Sequence, residues 1–468
     1  MKPTILLSHR LAEPPHVVRI FGTNGVRGII NQSMTVDMAL DISRSAATIL
    51  GAGHVAVARD SRMGGEMFSR AIVSGLLSTG CSVIDIGLAP TPTLQFVVPR
   101  LGCVGGIMIT ASHNPGEFSG IKVMGSDGIE VSRDVEDSIE NSYFGREFRV
   151  APWDRIGTVE SYDSALRQFM DAIKSHIDVQ GAQKRRLTVV VDCANSVGSL
   201  VTPQLMRELG CKVFSMNGQL DGTFPGRDPE PLPENLTELS RAVVSIGADI
   251  GIAHDGDADR ATFVDERGQV LWGDQSFALI ASRVLARKPG STLVTPVSSG
   301  RLIEDVAKQT GAQIVWTEVG SVVVSHKVKE LGADLGGEEN GGVFYPPHQP
   351  VRDGPMTAAQ VVDILAAEGV SLSGLIQKLP KYASAKTKVP VPAEKRDRIL
   401  GVLLQMTEGQ NRITLDGIKL IYDEGWILMR PSGTEPLWRC FAEGKTQKTA
   451  DKLSQQGVNL IREAAASS

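Results

Sequence analysis

Paired cysteines are missing from this sequence, and so is a dominant charge. The five cysteines (Cys81, Cys103, Cys193, Cys211, Cys440) are scattered, with no C-x-x-C pair, so they read as small buried hydrophobes in a reducing compartment. Acidic and basic side chains nearly balance, 53 against 48, for a net charge of −5. The broad basic field of a general nucleic-acid or membrane-surface binder is therefore absent; small anionic ligands need only a local patch. No run approaches the ~20 apolar residues of a membrane span. Met1 to Arg19, with Ile5-Leu6-Leu7 followed by His9, Arg10, Glu13 and Pro14-Pro15, is too short in its apolar part and too polar for a signal peptide, and reads as a loose leader. The 49 glycines have no period, which excludes collagen-like and low-complexity chains. A cytoplasmic protein with no nucleic-acid or membrane partner is expected, either a monomer or a homo-oligomer.

What is present is a long alternation of short apolar runs and amphipathic patterns over 468 residues, enough for several cores and the pattern of α/β domains. The first stretch reads as a helix at Val36–Leu50, a strand from His54 to Ala58, a helix from Glu66 to Leu77, and strands from Ser82 to Ile86 and Gly106 to Thr110. Trp153 to Val159 reads as a connector. Tyr162, Leu166, Phe169, Met170, Ile173 and Ile177 then fall at helical spacing. A second cycle runs through strands at Leu187–Val191, Cys211–Phe214 and Ile250–Ala253. A third takes Ala261–Val264, Thr292–Thr295 and Gln313–Trp316. The last stretch differs, with strands at Thr387–Val391, Ile418–Tyr422 and Trp426–Met429 and a closing helix. The predicted fold is three related α/β domains (1–154, 155–254, 255–372) plus a C-terminal α+β domain (373–468) around a central cleft.

Four loops carry chemistry, one associated with each domain. Thr110-Ala111-Ser112-His113-Asn114-Pro115 places a serine hydroxyl just after a strand, where α/β folds bind ligands; alone it also reads as an Asn-Pro turn. Without G-x-S-x-G, and with histidine directly beside the serine, a hydrolase triad fits poorly. Asp255-Gly256-Asp257-Ala258-Asp259-Arg260 presents three carboxylates at alternate positions that can converge on one hard cation; alone it also reads as a solvated acidic turn. Mg²⁺ there would need a further oxygen donor, a role that suits a phosphate. In Gly336-Gly337-Glu338-Glu339-Asn340-Gly341-Gly342, glycines allow close approach while Glu and Asn offer partners for sugar hydroxyls. Arg430-Pro431-Ser432-Gly433-Thr434-Glu435-Pro436 combines a guanidinium fork with hydroxyls and main-chain N–H groups as a phosphate cradle, to which Arg439 adds charge. Serine, cation site, polyol reader and phosphate cradle together are the parts for moving phosphate on a phosphosugar.

From Phe21-Gly22-Thr23-Asn24-Gly25-Val26-Arg27-Gly28 to Arg430-Pro431-Ser432-Gly433-Thr434 the sequence resembles the α-D-phosphohexomutase family. It is most similar to archaeal-type members described as phosphoglucosamine mutases or phosphomannomutase/phosphoglucomutases. The resemblance implies that Ser112 carries phosphate, that Asp255, Asp257 and Asp259 hold one Mg²⁺ with Ser112 as a further ligand, and that Lys122 assists proton transfer. It places Arg27 and His113 around the serine and Arg260 after the metal loop. Glu338 and Asn340 match the sugar-hydroxyl positions, Thr317, Val319 and Gly320 a loop that orients the sugar, and Arg430, Ser432, Gly433 and Thr434 the site of the non-reacting phosphate. Many bacterial members end the sugar loop in Ser-Gly-His where this chain has Asn340-Gly341-Gly342, leaving His348 and Lys122 as candidates for that histidine's task.

The expected activity interconverts hexose 6-phosphate and hexose 1-phosphate through phosphoserine and a hexose 1,6-bisphosphate intermediate or activator, with glucosamine phosphates favoured over mannose or glucose phosphates. A lowered Lys122 pKa would let it take and return the hydroxyl proton, and a mobile fourth domain would exclude water from the cleft. A Mg²⁺-dependent sugar phosphatase and a non-catalytic sugar-phosphate sensor are the rival readings.

Overall fold

The computed structural model of the chain describes residues 19–432 and 436–467. Among the described residues there are four sheets, and the first three repeat one plan. The first sheet contains β1 (Val26–Ile29), β2 (His54–Arg59), β3 (Ser82–Leu88), β4 (Gly105–Ile109), β5 (Phe118–Gly125) and β6 (Val159–Ser161), in the order β1-β5-β4-β2-β3-β6. The second contains β7 (Thr188–Asp192), β8 (Lys212–Met216), β9 (Ile250–His254), β10 (Ala261–Asp265) and β11 (Val270–Leu271), ordered β11-β10-β9-β7-β8. The third contains β12 (Thr292–Pro296), β13 (Gln313–Thr317), β14 (Leu335–Gly337), β15 (Val343–Tyr345) and β16 (Gln349–Arg352), ordered β13-β12-β14-β15-β16.

Counting from β2 in the first sheet, each unit places its first strand between its second and third as a parallel trio, and its fourth returns antiparallel beside the third. The link from third to fourth strand spans residues 110–117, 255–260 and 338–342. Those are the serine, carboxylate and sugar loops. Three of the four motifs are thus one loop in three copies of a single supersecondary unit.

Alternation along the inner strands explains why each sheet is covered on both faces. Val55 and Val57 of β2 enter a core with Ile42, Phe68 and Leu76, while Ala56 and Ala58 enter another with Leu94 and Val98. Likewise Val189 and Val191 of β7 face one core and Val190 the opposite one, with Leu239 and Val243. Helices supply the covering surfaces. Thr35 caps Val36–Leu50, its side chain accepting from the Met38 N–H, and Ala165–Lys174 buries Phe169, Met170 and Ile173 as their spacing predicts, with Ala165 beside them. The second and third sheets share one continuous core that also takes in Phe96 and Val97 from the first domain.

The fourth sheet is antiparallel throughout. It comprises β17 (Ala383–Pro390), β18 (Arg412–Ile413), β19 (Ile418–Tyr422), β20 (Gly425–Pro431) and β21 (Leu437–Gly444), ordered β17-β21-β20-β19-β18. It has its own core, to which the closing helix Gln447–Ala466 contributes Leu453, Val458 and Ile461.

Two expectations about element placement need correction. Ala261–Asp265, expected to open the third cycle, pairs with β9 in the second sheet, which runs on to Leu271, past residue 254. The Trp153–Val159 connector holds a short 3₁₀ turn at Trp153–Arg155 and leads into β6, which adds to the edge of the first sheet beside β3, past residue 154. Hydrophobic spacing identifies a strand but not the sheet it joins, and β6 is exposed at all three residues, so it has no apolar signature. The helix Thr91–Arg100, carrying Pro92 and Pro99, and the strand β5 were likewise absent from the pattern reading.

Candidate active site

Ser112 is fully buried and sits at φ 50°, in the left-handed region that bulky residues avoid. The turn is held from beneath. The Ser112 N–H donates to Thr110 Oγ1 at 2.8 Å, and Thr110 Oγ1 donates to Asp60 Oδ2 at 2.6 Å. Arg62, buried with Asp60 (Nε to Oδ2 3.1 Å), donates to the carbonyls of Ser112 (2.7 Å), Asn114 (2.6 Å), Pro115 (2.6 Å) and Phe118 (2.9 Å). One guanidinium thus fixes the serine loop's backbone through four carbonyls.

The carboxylate loop lies directly against this turn. Ser112 Oγ donates to Asp255 Oδ2 at 2.9 Å, and a Cβ on Gly256 would lie 2.3 Å from the Ser112 carbonyl oxygen, so the glycine permits the approach. Ala258 also has positive φ, 55°. Asp255, Asp257 and Asp259 are buried and each offers an oxygen within 4.8 Å of the others. Oδ1 of Asp257 and Oδ1 of Asp259 have no hydrogen-bond partner despite burial, which marks them as donors for a hard cation. The residues therefore fit Mg²⁺.

Lys122 on β5 is buried, its Nζ 2.9 Å from Asp257, 3.3 Å from Asp259 and 3.6 Å from Glu130. Burial alone would lower its pKa; Asp257, Glu130 and Asp259 reverse this and raise it. The lowering that would let the lysine take the hydroxyl proton is not found: these three carboxylates shift it upward. Burial acts against Asp257 too, but Lys122 and Thr91, whose Oγ1 donates to it at 2.6 Å, hold it ionised below the usual range. Burial and the neighbouring Asp259 push Asp255 upward, against Arg260, whose Nε lies 3.1 Å from Asp255 Oδ2.

Positive charge gathers over the serine. Burial, then Arg260, Arg27 and Arg352, push His113 down to about 2, so its imidazole is neutral at physiological pH. Arg27, on β1, donates to Asn114 Oδ1 at 2.7 Å. On the sugar loop, Glu338 is buried and pushed up to about 7 by burial, with Arg352 opposing. Arg352 spans the two loops, Nη2 lying 2.5 Å from Asp259 Oδ2 and Nη1 3.3 Å from Glu338 Oε2. Asn340 is exposed, its Oδ1 accepting from the Gly342 N–H at 3.1 Å within its own turn. Glu339 points elsewhere, accepting from Ser298 Oγ at 2.9 Å beside a cleft of about 870 Å³ between the second, third and fourth domains, lined by Trp272, Tyr382 and Trp426. Ser112 is not part of that cleft.

The fourth loop reaches the others through a carboxylate the sequence did not single out. Asp416 accepts from the Val319 N–H at 3.1 Å and pairs with Arg430 Nη2 at 2.9 Å, joining the Thr317–Gly320 segment to the fourth domain. Thr317 Oγ1 donates to the Glu318 carbonyl at 2.8 Å, and Gly320 adopts φ 142°. The Ser432 N–H donates to the Leu437 carbonyl at 2.9 Å. Gly433 and Thr434 lie outside the described residues. His348 is stacked on Phe96 (5.2 Å between ring centroids) and packed against Phe169 and His176; it lies among first- and second-domain rings, so the sugar-loop histidine has no substitute there. Asp60, Arg62, Thr91, Glu130 and Arg352 escaped sequence reasoning. The one local signal was Asp60-x-Arg62 at the end of a parallel strand, where α/β sites are built.

The fold and a buried serine against a carboxylate triplet define a phosphotransfer enzyme assembled from repeated α/β domains. Residues 18–150, 167–268, 272–382 and 384–459 match in succession domains I, II, III and the C-terminal domain of phosphoglucomutase/phosphomannomutase, and the chain belongs to that family. It is 44% identical over 452 residues to a phosphoglucomutase/phosphomannomutase of Thermococcus kodakarensis, covering 95% of this chain and 99% of that one. It is 43% identical over 450 residues to a phosphoglucosamine/phosphogalactosamine mutase of Sulfurisphaera tokodaii, with 95% and 99% covered. The crystal structure of a phosphoglucomutase/phosphomannomutase family protein from Burkholderia thailandensis matches with a TM-score of 0.87 at 28% identity, covering 95% of this chain and 97% of that one. The chain is accordingly a phosphohexomutase, an isomerase-class phosphotransferase that takes a phosphosugar and uses Mg²⁺. Among the described residues no helix is long and apolar enough to cross a membrane.

Proposed function

We propose that the chain interconverts the 6- and 1-phosphates of glucosamine, with glucose and mannose phosphates as alternative substrates, and that Ser112 is the phosphate carrier. The observation that carries this reading is the 2.9 Å contact of the buried Ser112 hydroxyl with Asp255 at the meeting of the serine and carboxylate loops. The relatives named for glucosamine, galactosamine, glucose and mannose substrates support the substrate class.

In the proposed cycle, phosphorylated Ser112 transfers its phosphoryl group to the free hydroxyl of the bound hexose phosphate; the Ser112 Oγ–P bond breaks as the sugar O–P bond forms, and the proton the sugar hydroxyl loses ends on Ser112 Oγ, where it is donated to Asp255 Oδ2. The resulting 1,6-bisphosphate turns over, and its other phosphate returns to Ser112. Asp255, Asp257 and Asp259 would hold Mg²⁺, which when bound would neutralise charge on the transferring phosphoryl group. Lys122 holds its proton at Nζ and offers positive charge beside Asp257 and Asp259. Arg27, Arg260 and His113 surround the serine, Glu338 and Asn340 serve the hydroxyls, and Thr317, Val319 and Gly320 orient the ring. Arg430, Ser432, Gly433 and Thr434 take the non-reacting phosphate. The serine's burial excludes water that would otherwise hydrolyse the phosphoserine.

The test is a ³¹P NMR time course with glucosamine-, glucose- and mannose-1-phosphate in parallel, with intact-protein mass recorded before and after a hexose 1,6-bisphosphate. Expected are 6-phosphate products, fastest for glucosamine, and one added phosphate that Ser112→Ala abolishes. Net release of inorganic phosphate would mean a phosphatase. Binding without labelling would mean a sensor, and near-normal turnover by Ser112→Ala would remove the serine from the mechanism.

A further inference from the structure

We propose that Arg352 is a positioning residue for the hexose, occupying the space that Gly342 leaves empty and locking Glu338 of the sugar loop to Asp259 of the carboxylate loop. The proposal rests on the hexose-phosphate reading above and adds a residue from outside all four motif loops.

The steric observation comes first. A Cβ on Gly342 would stand 2.5 Å from Arg352 Cδ and 3.1 Å from both Arg352 Cγ and Glu338 Oε2. Gly342 does not have positive φ, so its backbone conformation makes no demand for glycine; the demand comes from the Arg352 stem. That stem cannot swing aside cheaply, because its head is held at both ends, 2.5 Å from Asp259 Oδ2 and 3.3 Å from Glu338 Oε2. The backbone beneath is anchored as well. Arg352 ends β16, paired with Phe344, and the next residue, Asp353, caps the helix Gly354–Glu368 by accepting from the Met356 N–H at 2.9 Å.

The site thus has a permanently charged planar fork at the place where a side chain from residue 342 would project. Arginine does not give up its proton in a protein, so Arg352 cannot perform the proton transfer attributed to a histidine in that loop. What it can do is fix geometry. By engaging Glu338 Oε2 it sets the carboxylate's orientation, and the remaining acceptor positions are then aimed at the sugar hydroxyls. A lysine at 352 would keep the charge but lose the two-ended fork.

Binding without turnover provides the test. In a Ser112→Ala background, calorimetry measures the dissociation constants of glucosamine 6-phosphate and, separately, inorganic phosphate. Arg352→Lys should weaken glucosamine 6-phosphate about tenfold, the loss of one good charged contact, and leave inorganic phosphate within about twofold of its starting value. Gly342→Ala, which keeps every ionisable group, should cost about the same because its Cβ displaces the stem, and Gly342→Ala combined with Arg352→Ala should bind no worse than Arg352→Ala alone. The inference is overturned if both ligands weaken in parallel, if Gly342→Ala binds like its parent, or if the two substitutions add. Should the Ser112→Ala parent itself fail to bind any hexose phosphate, the hexose-phosphate reading falls instead.

Discussion

Among the described residues two lysines are almost wholly buried, each 1% exposed, and they occupy opposite electrostatic worlds: Lys122 on β5 and Lys419 on β19. Lys122 lies among the carboxylates of Asp257, Asp259 and Glu130, at the contact between the serine and metal loops. Lys419 stands between the rings of Trp316 and Trp426, 4.6 and 4.4 Å from their centroids, and donates to the Ser299 carbonyl at 2.9 Å. Burial pushes Lys419 down to about 8, Glu304, Glu443 and Glu339 opposing without reversing it. The contrast separates two kinds of junction. The first two domains are joined by ion pairs inside the chemistry, so the buried charges order the site they serve. Third and fourth domains meet through aromatic faces, Glu443 and guanidinium contacts to main-chain carbonyls, as where Arg301 donates to the Asp423 and Gly425 carbonyls at 2.8 and 3.2 Å. That second junction can open without stranding a carboxylate of the Asp255–Asp259 triplet.

Removing the first lysine should produce the largest effect. Lys122→Met leaves Asp257 and Asp259 without their shared cation, so turnover should fall on the order of 10³-fold. Without Mg²⁺ the fold should lose about 3–5 kcal/mol, as when one partner of a buried pair is removed. Mg²⁺ should raise the melting temperature of the variant more than that of the unaltered protein, because the ion restores positive charge beside Asp257, which loses its Lys122 partner, while Asp259 keeps Arg352. Equal rises would mean that Lys122 does not share its carboxylates with the metal.

An intermediate effect is expected where the fourth domain reaches the Thr317–Gly320 segment. Asp416→Ala deletes the acceptor of the Val319 N–H and the partner of Arg430, interactions worth about 1.5–3 kcal/mol for a charged hydrogen bond. The Michaelis constant should rise about tenfold, with a fall of roughly a few degrees in the melting temperature. A fall in kcat at constant KM would place Asp416 in the chemical step rather than in binding.

The ranking follows what was legible beforehand. Ser112, the Asp255–Asp259 triplet and Glu338 could be read because chemistry concentrated in a few consecutive residues leaves a compositional trace. The structure adds the reason they come together, since all three loops occupy the same link of a repeated unit. Thr91, Glu130 and Arg352 left no trace, being single ordinary residues that only strand pairing and domain packing bring to the site. The direction of the Lys122 shift was not legible for the same reason: two of its three carboxylates lie 135 and 137 residues away. Strands β10 and β6 were assigned to the wrong side of a boundary because periodicity carries no information about partners.

The smallest predicted effect is one of stability, and it breaks the comparison if it fails. Lys419 is held at about 8 in the folded protein, below the ~10.4 of an unperturbed lysine. Between those values the unfolded chain binds more protons than the folded one, so this group's contribution makes stability rise with pH across that window, by at most about 1.4 kcal/mol per unit. Below about 8 both states are charged and the cost of burying the ammonium is fully present. Lys419→Met fits between the two indoles without that cost. It should therefore raise the unfolding midpoint at pH 7 and flatten the profile above pH 8, while leaving Mg²⁺-dependent stabilisation intact. Lys122→Met should show the opposite sign at neutral pH. If both variants destabilise alike, the carboxylates around Lys419 hold it as firmly as those around Lys122, and the fourth domain is fastened by charge after all.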